Sequence, residues 1–391
     1  MKSIRQLRQQ YAESCMAGPS DIGRGTVVLW PDRLHGDPLG HEHVTHDALA
    51  RRLAALKGCE FGGCFDAACR YDGPLYFVPG DTLSSIDHAQ GLGIRDEQDL
   101  FGGVVPFPFA ATKVITHPLV HAEAAAPCGW PCDFSRCTGD AVLHGFSAFT
   151  PQDARSAGLR LLTLGSVRIK KPRGVGGSGQ SLAVDADQLE AQLDAIDDDD
   201  LQRCGLVLEQ NLSNVTTRSV GQVRVGPLLA TYCGVQRLTV GNDGRQAYGG
   251  SDLLVVRGGF DALLALGLAG EVTLAIMQAR AYHAAAMQSF PGMFASRCNY
   301  DVAQGIDDAG RWRSGVLEQS WRIGGASGAE VAALEAFCDD PALAAVRAST
   351  TEIHGDNPVV PDDAIVYYRG VDADIGALVK YSTLKPHAAE R

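Results

Sequence analysis

The sequence predicts an α/β (α+β) protein with two or three domains. Three observations carry this. Strand and helix signals alternate over residues 20–115, a glycine-dense loop at 174–179 stands between two strand signals, and two later strands around Asp301 and Glu318 face each other across a turn. With 391 residues, the chain is long enough for several cores.

The apolar run 27–30 ends at Pro31-Asp32 and reads as a strand and turn. A helix over 45–57 would bury Leu49, Leu53 and Leu56 on one face. A strand at 75–78 is stopped by Pro79-Gly80, giving a small α/β layer without a phosphate loop of its own. Residues 102–150 are rich in Pro, Phe, Cys and His, lack periodicity and read as a connector, notable for Lys113. Next come a helix over 154–164, a strand over 167–171 stopped by Pro172, the glycine loop and a strand over 181–184. A helix capped by Asp187 runs to Ile196, and a strand occupies 206–209. Strands at 223–237 and 253–257, with a turn at Gly241-Asn242-Asp243-Gly244, precede a long helix over 263–289. The two strands near Asp301 and Glu318 and a last strand at 364–368 complete the reading, with no internal repeat.

Hydrophobic residues make up 45% and charged residues 20%, the ordinary balance of a globular chain. No apolar run approaches the length of a membrane span, and residues 1–18 carry no apolar core of a secretion signal. The formal charge of −12 argues against broad binding to nucleic acid or acidic membranes, though a basic pocket for a small anion remains compatible. Part of the excess is the run Asp197–Asp200, read as a solvated loop after a helix. Eleven cysteines, an odd number, fit free thiols in a reducing cytosol, so a cytoplasmic location is expected. Cys59, Cys64 and Cys69, and Cys128, Cys132 and Cys137, lack the paired two-residue gaps of structural zinc sites. A zinc site at the second cluster with His121 or His144 is the alternative to plain thiols. His41-Glu42-His43 lacks the helical spacing that puts two ligands on one face, and reads as a polar loop or helix start.

Gly174, Gly176 and Gly179 satisfy a dinucleotide-binding G-x-G-x-x-G pattern, and Gly174 to Ser181 nearly satisfies a P-loop, with Gln180 in place of the lysine. The fingerprint needs an apolar strand running into a helix, whereas here the strand is Arg-Ile-Lys-Lys and a strand signal follows; the P-loop lacks its lysine charge near the β- and γ-phosphates. The third reading is a hairpin loop closing over a triphosphate. Gly174, Gly176, Gly177, Ser178 and Gly179 would offer backbone N–H groups, and Lys171 or Lys170 the positive charge. A mobile surface hairpin is the bland alternative.

Period-two alternation puts Arg297, Asn299 and Asp301 on one face of one strand, and Val316, Glu318, Ser320 and Arg322 on one face of the next. The turn-rich 305–310 between them predicts a hairpin in which Asp301 and Glu318 stand opposite each other. Facing carboxylates repel unless a cation bridges them, and oxygen-only ligands suit magnesium. Arg297 and Arg322 are candidates for holding phosphate or a substrate carboxylate. A salt-bridge network on an exposed sheet face is the alternative.

In this order the pieces resemble the ATP-grasp superfamily: Lys113, then Lys171-Pro172, the glycine loop, Leu206 to Glu209, Asp301 and Glu318. The stretch Leu317-Glu318-Gln319-Ser320-Trp321-Arg322 looks like the family's Glu-x-Asn-x-Arg, with Ser320 where most members carry the magnesium-binding Asn. The resemblance spans about 113–327 and implies an ATP-grasp fold after a small Rossmann-like α/β domain. The expected divisions are 1–112 for that domain, 113–212 for the central subdomain and 213–391 for the C-terminal one. It also implies ATP and Mg2+ as cofactors. Lys113 and Lys171 would hold phosphates, the glycine loop would cover them, and Glu209 and its neighbours would meet adenine and ribose, chiefly through backbone groups. Asp301, Glu318 and Ser320 would form the metal set, with Asn299 a substitute amide. Arg297 or Arg322 would steady an acylphosphate. The implied activity is ligation of a small-molecule carboxylate to an amine. The alternatives are a kinase on the same cleft, a non-catalytic nucleotide-binding protein, and a nicotinamide oxidoreductase resting on the literal glycine pattern. For the assembly, base rate alone points to a homodimer.

Overall fold

The computed structural model describes residues 25–30, 40–174, 179–356 and 358–387. The chain opens with β1 (Thr26–Trp30), α1 (His41–Lys57), β2 (Glu60–Cys64), β3 (Leu75–Pro79), α2 (Ile86–Gly91) and β4 (Gly103–Val104). β1 lies between β2 and β3, parallel to both, as crossover connections require. Leu49 and Leu53 bury one face of α1, and Gly58, in the left-handed region at φ 68°, ends it. His41, Glu42 and His43 form the first turn of α1, so the helix-start reading of that triplet holds.

The middle of the chain carries α3 (Phe134–Thr138), β5 (Gly145–Ala148), α4 (Pro151–Leu162), β6 (Val167–Lys170), β7 (Gln180–Ala183), α5 (Ala186–Asp194), α6 (Asp198–Cys204) and β8 (Leu206–Gln210). Its antiparallel sheet runs β5-β8-β6-β7. Ala154, Ala157 and Leu161 of α4 and Leu189 of α5 pack on Ile169, Ala183 and Leu208. Two local readings change here. Asp185, not Asp187, caps α5, accepting from Gln188 N. The acidic run is not a loop: Asp197 caps α6, and Asp198, Asp199 and Asp200 fill its first turn, where the helix dipole favours negative charge.

The remainder forms β9 (Ser213–Val225), β10 (Leu228–Val240), β11 (Gln246–Arg257), α7 (Phe260–Leu264), α8 (Gly270–Ser289), β12 (Phe294–Ala295), β13 (Arg297–Ile306), β14 (Trp312–Ser320), α9 (Ser327–Asp339), β15 (Ala345–His354), β16 (Ile365–Asp372) and β17 (Gly376–Pro386). Among the described residues the large sheet runs β14-β13-β9-β10-β11-β15-β17-β16. The strand expected at 223–237 is a hairpin broken at Gly226-Pro227, and the helix expected at 263–289 is interrupted after Leu264. One face of this sheet buries Tyr300, Val302 and Val316 against Ile276, Ala279 and Tyr282 of α8. The other buries Val223, Tyr232 and Val255 against Ala329, Val331 and Leu334 of α9 and against Leu49 and Leu53 of α1. Beyond that packed area the same face opens on a cleft against the β5-β8-β6-β7 sheet. The tip of the β13–β14 hairpin closes one end of the cleft: Ser166 N donates to Asp308 Oδ2 at 2.5 Å, and Gln210 Nε2 to Asp307 Oδ2 at 3.4 Å. The alternation of helix-covered sheets is the α/β (α+β) class expected from the sequence. No helix of the described residues is long and apolar enough to cross a membrane.

Candidate active site

The hairpin puts Asp301 and Glu318 in register, as expected, with a β-bulge as the device. Ile306 pairs with Trp312 and Val302 with Val316, but Asp301 pairs with Glu318, so Leu317 is the extra residue. The bulge also corrects the face assignment: Val316 turns into the core against α8, while Glu318 and Ser320 stay on the cleft face. Asp301 Oδ1 accepts from Gln236 Nε2 and Asn299 Nδ2, each at 2.8 Å, which fixes that oxygen. Ser219 Oγ lies 3.5 Å away. Burial first, and Glu318 second, push the Asp301 carboxyl above its ordinary range despite these donors.

Lys113 is buried on the cleft wall opposite. Its Nζ pairs with Glu318 and donates to Gly174 O at 2.9 Å. Deeper in, Lys170 and Glu209 form an ion pair whose side chains are 3% and 2% exposed. His117 Nε2 lies 3.1 Å from the other Glu209 oxygen. Burial alone would raise the Glu209 carboxyl, but Lys170 and His117 outweigh it and hold it at about 2.

Several expected site residues are placed differently. Lys171 is exposed, and Lys170 turns into the cleft. Alternation explains this: Ile169 packs on the helices, so its neighbour Lys170 faces the opposite side and Lys171 returns to the helix side. The glycine segment joins the antiparallel strands β6 and β7, with Lys171 N donating to Gly179 O at 2.9 Å and Gly179 at φ 67°. A strand rather than a helix follows it, so neither the dinucleotide fingerprint nor a P-loop is built here. Gly176, Gly177 and Ser178 lie outside the described residues.

Arg297 is not free to meet a substrate. Its side chain is 2% exposed; Nε and Nη2 donate to Glu330 of α9 at 2.8–3.1 Å, and Nη1 to Arg322 O at 2.6 Å. Nη1 also donates to Ser320 Oγ at 3.2 Å. A cation held at that hydroxyl would lie beside a fixed guanidinium charge. The Asn299 amide nitrogen serves Asp301, and its oxygen lies 3.0 Å from the Tyr232 hydroxyl, which also reaches Glu330 Oε1 at 2.6 Å. Burial, and then the Glu330 charge, keep Tyr232 protonated far above its ordinary range. Gly221 makes room for this contact, since a Cβ there would lie 2.3 Å from Tyr232 Oη. Arg322 keeps some freedom: it is one-third exposed, donates to Ile323 O at 3.0 Å and lies 3.9 Å from Asp81.

Sequence reasoning passed over His117, Gln236, Tyr232 and Glu330. Nothing in their local pattern marks them, because each acts on a partner at least 33 residues away in sequence. The Glu209 side chain is engaged with Lys170 and His117, which leaves its backbone groups as the ones expected to meet adenine and ribose. Among the described residues no trio of His, Cys, Asp or Glu is grouped to hold a metal, and the two cysteine clusters are free thiols. Asp301 and Glu318, in register on the hairpin, are the pair of facing carboxylates that the sequence predicted.

The family model described as "Protein of unknown function (DUF3182)" matches residues 31–382. No curated protein matches the sequence. Among solved structures, the chain is similar to an ADP complex of N5-carboxyaminoimidazole ribonucleotide synthetase, at 10% identity over 95% of each chain with a TM-score of 0.49. It is similar to phosphoribosylamine–glycine ligase from Thermotoga maritima, at 12% identity over 94% of this chain and 93% of that one, TM-score 0.45. Biotin carboxylase from Campylobacter jejuni, in a β,γ-ATP complex, is 10% identical over 92% of this chain and 87% of its own, TM-score 0.49. At these identities and scores, the assignment of an activity rests on the chain's own residues.

Proposed function

We propose that this chain, which belongs to the DUF3182 family, is an ATP- and magnesium-dependent ligase that activates a small-molecule carboxylate and joins it to an amine or similar nucleophile. The observation that carries the reading is two lysine–carboxylate pairs, Lys113–Glu318 and the buried Lys170–Glu209, with Glu318 in register with Asp301 on the hairpin. Two buried ammonium groups beside a paired-carboxylate hairpin suit a triphosphate with a bridging cation better than any uncharged ligand.

In this reading Lys113 and Lys170 turn from their carboxylates to phosphate oxygens, and the backbone about Gly174 and Gly179 covers the phosphates. Asp301 and Glu318 would hold one magnesium ion, which supplies neutralisation of the β- and γ-phosphate charge. A substrate carboxylate oxygen bonds to the γ-phosphorus as the bond to ADP breaks. The amine then bonds to the acyl carbon, loses a proton and expels phosphate. Arg322, partly exposed at the end of the hairpin, is the group left to steady the acylphosphate.

The test has three readouts. ATP with magnesium raises the melting temperature and NAD does not; ADP appears only with a carboxylate; mass spectrometry finds the joined product when an amine is added. ADP with a phosphorylated product that never joins assigns a kinase, and no response to ATP with magnesium removes the reading. A nucleotide-binding protein without turnover is the second reading, favoured by the Arg297–Ser320 contact, which sets a guanidinium charge against one expected metal ligand.

A further inference from the structure

The paired carboxylates of a divalent-cation site pose a problem before any cation arrives. Asp301 and Glu318 face each other in register on the cleft side of the hairpin, and like charges so placed repel. Asp301 is held on one oxygen by two amides, Gln236 and Asn299, which soften its charge without cancelling it. Among the described residues Glu318 is partnered instead by the ammonium of Lys113. That ammonium comes from a one-turn helix at 113–116 on the far wall, and it is buried where unpaired charge is costly. The same Nζ donates to the carbonyl of Gly174, where the glycine segment begins. Lys113 therefore spans three parts of the cleft: its own wall, the hairpin carboxylate and the base of the glycine segment.

We propose that Lys113 is an internal counter-cation that holds Glu318 until nucleotide arrives, so that metal and nucleotide bind together rather than metal first. This rests on the nucleotide reading above. A lone divalent cation approaching Glu318 must either displace the ammonium, leaving a buried charge with only a carbonyl partner, or share the carboxylate with it; both weaken binding. When the nucleotide is present, its phosphates give the ammonium a new anionic partner, and Glu318 is released to the metal. One exchange thus couples the two ligands.

The coupling gives opposite signs for one substitution. In Lys113→Gln the counter-charge is gone, so nucleotide-free protein should bind Mn2+ at least about tenfold more tightly than wild type, while a non-hydrolysable ATP analogue binds more weakly. Lys113→Arg keeps the charge and should retain the weak nucleotide-free Mn2+ binding. Free Mn2+ is followed by electron paramagnetic resonance, and the analogue by calorimetry, neither of which needs turnover. If Lys113→Gln leaves nucleotide-free Mn2+ affinity unchanged while wild type still binds the analogue, the counter-cation role is overturned and the nucleotide reading survives. Wild type that binds neither Mn2+ nor the analogue removes both. Should the Gln variant not fold, wild-type protein suffices: equal Mn2+ affinity with and without the analogue overturns the proposal.

Discussion

Arg297 was expected to face a substrate, and the structure gives it to Glu330 instead, so the two roles predict different failures. Glu330→Gln keeps the volume of the side chain and removes its charge. Arg297 is then left with full charge at 2% exposure, having lost an anionic partner to which Nε and Nη2 both donate. Breaking one side of a buried pair in this way costs about 3–5 kcal/mol. If the lobe built on the eight-stranded sheet unfolds as a unit, that corresponds to a fall of roughly 10 °C in melting temperature. Trp321 is fully buried beside this network and donates to the Tyr300 hydroxyl at 3.2 Å, so its fluorescence reports the transition. Arg297→Met combined with Glu330→Leu removes both charges and should recover most of the loss, because an apolar pair of similar volume has no desolvation to repay. A Glu330→Gln protein melting within about 2 °C of wild type would refute the structural role. So would an Arg297→Met protein of normal stability that had lost only turnover, and that result would return Arg297 to the chemistry.

Three further outcomes follow from the cleft. Lys170→Met should abolish nucleotide binding and cost about 3–5 kcal/mol by stranding Glu209, whereas Lys171→Met should stay within about 0.5 kcal/mol of wild type; the reverse ranking in denaturant titrations would restore Lys171 to the site. Glu209, held at about 2 in the folded state, ionises more easily there than in the unfolded chain, so it contributes stability that is complete above the unfolded value near ~4.3 and is lost as pH falls towards ~2. That contribution is about 3 kcal/mol, and Glu209→Gln should flatten the acid limb of the stability curve across this window; parallel curves would show that the ion pair does not carry it. Glu318→Gln should fold near-normally and lose ATP turnover, and full activity in that variant would reject Glu318 as a metal ligand.

What could be read from the sequence was what neighbours in the chain decide. The Asp301–Glu318 pairing was legible because a short turn and period-two alternation set a register, although the register depends on a bulge at Leu317 that no local pattern marks. The glycine segment was legible as a hairpin loop because strand signals flank it on both sides. Lys170 and Lys171 were not separable by composition, yet the apolar Ile169 beside them decides the matter once it is assigned to the helix-covered face. The charge partners were out of reach for a different reason. Lys113 meets Glu318 across 205 residues, as the numbers of its ion pair show, and Glu330 meets Arg297 from a helix that the reading did not find. That helix, α9, is rich in Ala and buried over most of its length, so it lacks the polar face that periodicity detects. An arginine on a cleft-facing strand looks like a substrate ligand until the helix that neutralises it is in place. The hydroxyl at position 320 accepts from the same guanidinium, a contact that no local pattern marks.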